Sequence, residues 1–477
     1  MDILALDTIL IILGYLKPKD ILNLRLVNKF FNNFIKENEL DINITIKEIN
    51  ENNINRFLNS HKFLNLTFYN VNINESAEYL QYCRKITLYS TNIKLKCFEK
   101  LTNCRSITIS GLNNIKKICE NITYLNNCKE INFYGQDKID GECAELLNKT
   151  KLESISIYGN ISKNFFKILN IPNLKSLALR IRNKRKIEPY FLSSNLSNLE
   201  SLYFEIKINN NGLETFCEKF KNLKKLYLTF RDFNTPTINL SNLVKLDKLE
   251  SLVLNFPYEN VINISDFTNF KNLKYLSLFG YYSINVSDSC SLENTKLKTL
   301  NIDNILFQKL YKNQIIRLNL MLINLNVPNL KNISLSKTHI TDKEIEFLNR
   351  FNLETILLDG CEKITNQALK ILNLPNLKYL DISYTNISNE GILALKTPKL
   401  KYINLNNCNI TDKLFELLKM SSLYCIKVKS CNLEKTIEIL DKRYKEFPYL
   451  QKIDISFTKV TGRFKNYDSV YIKKKNN

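Results

Sequence analysis

Residues 249–254 read LESLVL, residues 273–278 read LKYLSL and residues 297–302 read LKTLNI. Each is an apolar residue, two variable ones, a second apolar residue, one variable residue and a third apolar one. The alternation at the end of the unit puts two apolar side chains on one face of a short strand. A single strand cannot bury that face, but stacked copies can. Working outward, the unit starts again at Leu152, Leu174, Leu199, Leu223, Leu330, Leu353, Leu377, Leu400, Leu423 and Leu450. Weaker copies start at Phe63, Cys83, Cys104 and Cys128, with a degenerate one at Ile315, making about eighteen in all. From Cys83 to Leu297 successive starts lie 21–26 residues apart.

A unit of this length and pattern resembles the leucine-rich repeat. The resemblance implies an α/β leucine-rich-repeat solenoid, with a curved parallel sheet on the concave side and helices or irregular turns on the convex side. In the C-terminal copies the return reads as helical. Ile340-Thr341-Asp342, Ile364-Thr365-Asn366, Ile387-Ser388-Asn389 and Ile410-Thr411-Asp412 each set a capping residue ahead of apolar residues at helical spacing. This stretch resembles the cysteine-containing class of the repeat. Cys361, Cys408 and Cys431 stand where that class carries Cys or Asn, and Thr338 and Thr385 take nearby positions in neighbouring copies.

Composition removes several function classes. The chain has 477 residues, too many for one compact core, so several domains or one long array is expected. Hydrophobic residues at 44% and charged residues at 24% fit a folded soluble protein rather than a disordered or polytopic membrane one. No apolar stretch reaches bilayer-spanning length, and Asp2 and Asp7 occupy the place of a signal peptide's basic region. The two histidines, His61 and His339, are too few for a histidine-rich metal site. The 12 cysteines include no C-x-x-C pair, and several recur at equivalent repeat positions. They read as small buried hydrophobes in a reducing compartment, cytoplasmic or nuclear, or the host cytoplasm for a viral chain. The net charge of +21 can attract an anionic partner, but the wealth of Asn, Ile and Lys also fits AT-rich codon usage. Arg180, Arg182, Lys184, Arg185 and Lys186 read as a solvated loop after a strand, with a nucleic-acid patch as the alternative.

Residues 1–40 differ in period. Residues 4–35 read LALDTILIILGYLKPKDILNLRLVNKFFNNFI, with Ile9, Ile12, Leu13 and Leu16 on one helical face and Ile21, Leu24, Val27 and Phe31 on the next. Pro18 breaks the first helix and Asp20 can cap the second. This stretch resembles an F-box. Leu4, Asp7, Ile12, Leu13, Tyr15 and Leu16 match the family pattern, as do Pro18, Asp20, Ile21, Leu22, Leu24, Arg25, Val27, Lys29 and Phe31. Ala5 stands where the family usually has Pro, which weakens the first turn. The resemblance implies docking on the Skp adaptor of Skp–cullin–F-box ubiquitin ligases, with Leu4, Ile9, Leu13, Leu16, Pro18, Leu22, Leu24 and Val27 at the adaptor or supporting it. The other reading of these helices is a cap for the solenoid.

The expected organisation is an F-box at 1–40, a polar connector with a short helix at 41–60, the solenoid at 61–465 and a basic, frayed tail at 466–477. The variable residues of each strand face outward on the concave sheet. Tyr134, Tyr158, Tyr203, Tyr227, Tyr275, Phe279, Tyr379 and Tyr402 are the candidate contacts for a protein substrate, with Tyr69 and Tyr89 nearer the N-terminus. Strand propensity alone would also favour tyrosine there. No motif for phosphate binding, nucleophilic catalysis or metal ligation occurs, so no enzyme activity, cofactor, metal or membrane is expected. The function expected is substrate recognition for a cullin ligase. The alternatives are a binding scaffold without a ligase link or, less expected, a nucleic-acid-binding solenoid.

Overall fold

The computed structural model of the protein describes residues 42–46, 64–70, 72–73, 78–90, 92–94, 96–111, 115–123, 125–181, 191–192, 194–206, 210–230, 237–264, 270–286, 296–304, 326–461 and 471–473. These fall into two units, one closing at Glu205 and the other opening at Ile206. The F-box residues and the degenerate copy at Ile315 lie outside the described residues.

The first unit carries β1 (Ile42–Ile46), β2 (Leu64–Tyr69), β3 (Asn72–Ile73), β4 (Cys83–Tyr89), β5 (Asn92–Ile93), β6 (Ser106–Ser110), β7 (Glu130–Ile139), β8 (Ser154–Ile161), β9 (Ser176–Ile181) and β10 (Ser201–Ile206). Its returns include α1 (Lys96–Glu99), α2 (Ile115–Ile122), α3 (Gly141–Leu147) and α4 (Lys163–Ile168). β1, β2, β4 and β6 to β10 pair in sequence, every pair parallel. The weak copies at Phe63, Cys83, Cys104 and Cys128 therefore stack as parallel rungs, with register shifts between Leu64 and Asn65 and between Tyr134 and Lys138. Between β8 and β9, Ile155 pairs with Leu177 and Ile157 with Leu179. Because the register sets core residue against core residue, one face of every strand stays apolar. Phe165, Phe166, Phe191 and Phe204 fill the space behind β9 and β10, with Phe191 and Phe204 ring centroids 4.4 Å apart.

The second unit begins with α5 (Asn210–Lys219) and carries β11 (Lys225–Phe230), β12 (Thr237–Asn239), β13 (Ser251–Ile264), β14 (Tyr275–Val286) and β15 (Thr299–Asn304). It continues through β16 (Asn332–Ser334), β17 (Thr355–Leu357), β18 (Tyr379–Asp381), β19 (Tyr402–Asn404), β20 (Cys425–Lys427), β21 (Lys452–Asp454) and β22 (Tyr471–Lys473). Between its last rungs lie α6 (Asp342–Ile345), α7 (Asn366–Ile371), α8 (Asn389–Ala394), α9 (Lys413–Leu417) and α10 (Thr436–Lys442). β11, then β13 to β22, again pair in parallel. β12 adds a second short ladder on β13. From β16 to β21 each strand has three residues, and the chain then turns through a left-handed residue: Lys337, Gly360, Tyr384, Asn407, Ser430 and Phe457. Only Gly360 takes that conformation without crowding by a Cβ, and a Cβ built there would stand 3.1 Å from Lys337 Cγ.

The expected helical returns are present, with Thr341, Thr365 and Ser388 as N-caps of α6, α7 and α8 and Asp412 as that of α9. Two boundaries differ from the sequence reading. The stretch 41–60 contains β1, whose Ile42, Ile44 and Ile46 alternate as a strand requires. The tail contains β22, in which Ile472 is in register with Ile453 of β21. An apolar residue in register is enough to add a rung, even inside a basic segment.

The recurrent cysteines have a defined task. The Cys361 thiol lies 3.0 Å from Leu335 O, Cys408 lies 3.1 Å from Ile382 O, and Cys431 lies 3.2 Å from Leu405 O. Each thiol thus donates to a carbonyl at the strand end of the preceding rung. Thr338 and Thr385 hydroxyls donate to the same Leu335 and Ile382 carbonyls, both at 2.6 Å. Threonine and cysteine therefore share one structural duty. Burial pushes the Cys361 and Cys431 thiols up to about 11.

Candidate functional site

Along the first unit's sheet, the outward residues form three rows that follow from position within the repeat. Two places after each unit's first residue stand Ser106, Glu130, Ser154, Ser176 and Ser201; four places after it stand Thr108, Asn132, Ser156, Ala178 and Tyr203. Six places after it stand Tyr89, Ser110, Tyr134, Tyr158, Arg180 and Glu205. Small side chains thus make a floor, and the third row makes a wall.

The wall is continuous over four strands. Tyr134 and Tyr158 rings are 6.4 Å apart, and the Arg180 guanidinium sits 5.0 Å from the Tyr158 ring centroid. Arg180 Nε forms an ion pair with Glu205 Oε1 at 3.0 Å. Glu205 is only 7% exposed, whereas Arg180 keeps 58% of its side chain accessible. The nearly buried carboxylate needs that cation, and the pairing holds Arg180 in place. Tyr203 of β10 closes the floor row. The result is a trough of about 410 Å³ lined by Tyr134, Ser156, Ile157, Tyr158, Ala178, Arg180 and Tyr203.

A more polar hollow of about 570 Å³ lies where the strands begin, among Arg84, Arg105, Lys129, Lys151 and Glu153. Lys129 Nζ and Glu153 Oε1 are 2.6 Å apart there, and that hydrogen bond holds the Glu153 carboxyl below its usual range. The same edge of the second unit alternates similarly, with Glu250 against Lys274 and Glu354 between Lys331 and Lys378.

The second unit's sheet distributes its aromatic residues differently. Tyr227 and Phe279 meet at 5.9 Å, and Tyr275 OH accepts from Asn301 Nδ2 at 2.9 Å. Tyr379, Tyr402 and Tyr424 form a second stack, at 6.0 and 5.4 Å. Burial, then the Asp381 charge, raises the Tyr379 hydroxyl. Burial likewise raises Asp303, whose Oδ1 has no hydrogen-bond partner among the described residues.

All eight candidate aromatic residues therefore lie on the outward strand face, as read from the sequence. Tyr134, Tyr158 and Tyr203 line the trough. Tyr227 pairs with Phe279, and Tyr379 with Tyr402. Tyr69 and Tyr89 stack at 4.6 Å outside the trough. The adaptor candidates Leu4, Ile9, Leu13, Leu16, Pro18, Leu22, Leu24 and Val27 lie outside the described residues. Arg180, expected in a loop, belongs to β9 and to the wall; Arg182, Lys184, Arg185 and Lys186 lie outside the described residues. Sequence reading missed Glu205, Ala178 and Tyr424. Position within the repeat would have found the first, since Tyr158, Arg180 and Glu205 share one offset in consecutive copies.

A model of the F-box domain matches residues 1–43. A model of a leucine-rich repeat matches residues 373–396 and 397–413. The two matches fit an F-box ahead of a leucine-rich-repeat array. The fold is similar to that in the crystal structure of the TLR13–ssRNA13 complex, with TM-score 0.57 and 17% identity over 90% of this chain and 76% of that one. The structure of the Leptospira interrogans LRR protein LIC12759 matches at TM-score 0.41 and 16% identity, over 90% of this chain and 100% of that one. The crystal structure of the Rad7 and Elc1 complex in yeast matches at TM-score 0.39 and 16% identity, over 98% and 90%. No curated protein matches the chain. Among the described residues no helix is long and apolar enough to cross a membrane, and no cluster of His, Cys, Asp and Glu could hold a metal.

Proposed function

We propose that the chain is a substrate receptor of a Skp–cullin–F-box ubiquitin ligase. The observation that carries this reading is the F-box match at residues 1–43 ahead of a repeat array. The F-box docks on a Skp-type adaptor, and the outward strand face holds a protein substrate. The chain contributes no chemistry of its own. It raises the effective concentration of the substrate at the ligase, and partners transfer the ubiquitin. Buried free cysteines support work in a reducing compartment, inside the cell.

Docking of this kind uses an apolar helical surface that a partner helix completes. Leu16 and Leu24 are on that surface by resemblance. The test is capture of the full chain by purified Skp adaptor, beside the double variant Leu16→Asp, Leu24→Asp. Buried charges would remove the apolar contact. Capture of the wild type and loss in the variant is expected. Absence of capture, with circular dichroism showing folded protein, would leave only a scaffold.

A further inference from the structure

We propose that the trough over Ala178 takes an extended segment of the substrate protein that carries a large apolar side chain and, close to it, a carboxylate. This rests on the reading of the strand face as the substrate side.

Three features define the occupant. The first is shape. Ala178 is the smallest residue in its row, and it lies between the Tyr158 side of the wall and Tyr203 at the end of the floor. A bulky side chain set over Ala178 would meet tyrosine rings on both flanks. Aromatic contact of this kind adds to the area buried.

The second feature is charge. Arg180 is held by the Tyr158 ring and by Glu205, whose Oε1 pairs with its Nε. A guanidinium has five N–H donors, and the two Nη groups remain. Among the described residues no acceptor reaches them. Their planar fork matches a carboxylate. A lysine or arginine in the same place would meet the guanidinium as a like charge.

The third feature is order. The ion pair and the ring stack hold the guanidinium before any ligand arrives. Ligand binding therefore has little side-chain freedom left to remove.

The probe is a phage-displayed random dodecapeptide library, panned on the full chain, with adaptor capture measured separately. Enriched peptides are then measured by fluorescence polarisation. The expected consensus pairs Phe, Tyr, Leu or Ile with Asp or Glu one to three positions away. Replacing that acid by its amide should weaken binding roughly tenfold or more. Ala178→Trp fills the floor without touching the ion pair and should abolish enrichment. Arg180→Lys keeps a cation beside Glu205 but loses the fork and the stack, so it should reduce the acid preference while the chain stays folded. No enrichment, a basic consensus, or equal enrichment on Ala178→Trp would overturn the proposal. Adaptor capture separates the two readings. If the adaptor binds and the panel shows no selection, the occupant assigned here is wrong and the receptor reading stands. If the panel selects and the adaptor does not bind, the receptor reading fails.

Discussion

The rungs from β4 to β10 and those from β16 to β21 bury the same apolar triplet, yet they join neighbouring rungs differently. Among the earlier rungs the links on the outward face are aromatic and ionic, from Tyr134 to Glu205. The later rungs carry an outward aromatic stack as well, Tyr379, Tyr402 and Tyr424, and they add short polar bonds on the return side. Asp342 accepts from Thr365 N and Oγ1, at 2.8 and 2.6 Å. Asn366 accepts from Ser388 N at 2.9 Å, and Asn389 from Thr411 N at 3.1 Å. Asp412 accepts from Glu434 N, Lys435 N and Thr436 Oγ1. Each side chain at or next to a helix start thus bonds the residue that opens the next return. The cysteine and threonine contacts add a second seam. The comparison separates two duties. In the later rungs regular side chains fix the stack, and in the earlier rungs the wall side chains leave a trough.

The largest effects should be alike in the two regions, because the core triplet is shared. Leu177→Ala and Leu380→Ala each remove a fully buried side chain. Each should cost about 2–5 kcal/mol, read as a lower urea midpoint. A marked difference between them would mean that one region unfolds by itself. Asp412→Ala should cost about 1–3 kcal/mol, because three donors lose one acceptor. Hydrogen exchange should quicken at Glu434 and Lys435 and leave β7 to β9 unchanged.

Cys408→Ala should cost about 1 kcal/mol through the lost contact to Ile382 O. Thr385→Val should cost a similar amount, since both groups serve one carbonyl. Their double variant should cost more than the sum, because either group alone still satisfies that carbonyl. Simple additivity in urea unfolding would show that the two contacts act independently.

The smallest effect concerns pH. The hydrogen bond from Lys378, ahead of the bond from Lys331, holds the Glu354 carboxyl below its usual range. A carboxyl lowered in the folded state stabilises above its unfolded pKa, near about 4.3, and that stabilisation is lost as pH falls through the folded value. Glu354→Gln should therefore be less stable than wild type at about pH 7 by at most about 1 kcal/mol, given the pair's exposure. The gap should close in acid and shrink in high salt.

The repeat was legible because the apolar triplet is local: LKYLSL announces a strand wherever it stands. The candidate aromatic residues were legible for the same reason, since alternation fixes the outward face. Arg180 and Glu205 were not. They meet across two successive repeats, and only the register of β9 against β10 makes them neighbours. β1 and β22 were hidden by polar surroundings, because one apolar partner in register suffices to extend a ladder. The capping residues were visible as helix starts, but their bonds to the next return depend on stacking, which no single copy contains.

The central claim is that one chain joins a ligase to a substrate. Ubiquitin-remnant profiling of cells expressing the wild type, Leu16→Asp/Leu24→Asp or Ala178→Trp tests it most directly. The account predicts a set of modified proteins that rises with the wild type and with neither variant. A set that rises equally with the F-box variant would contradict it.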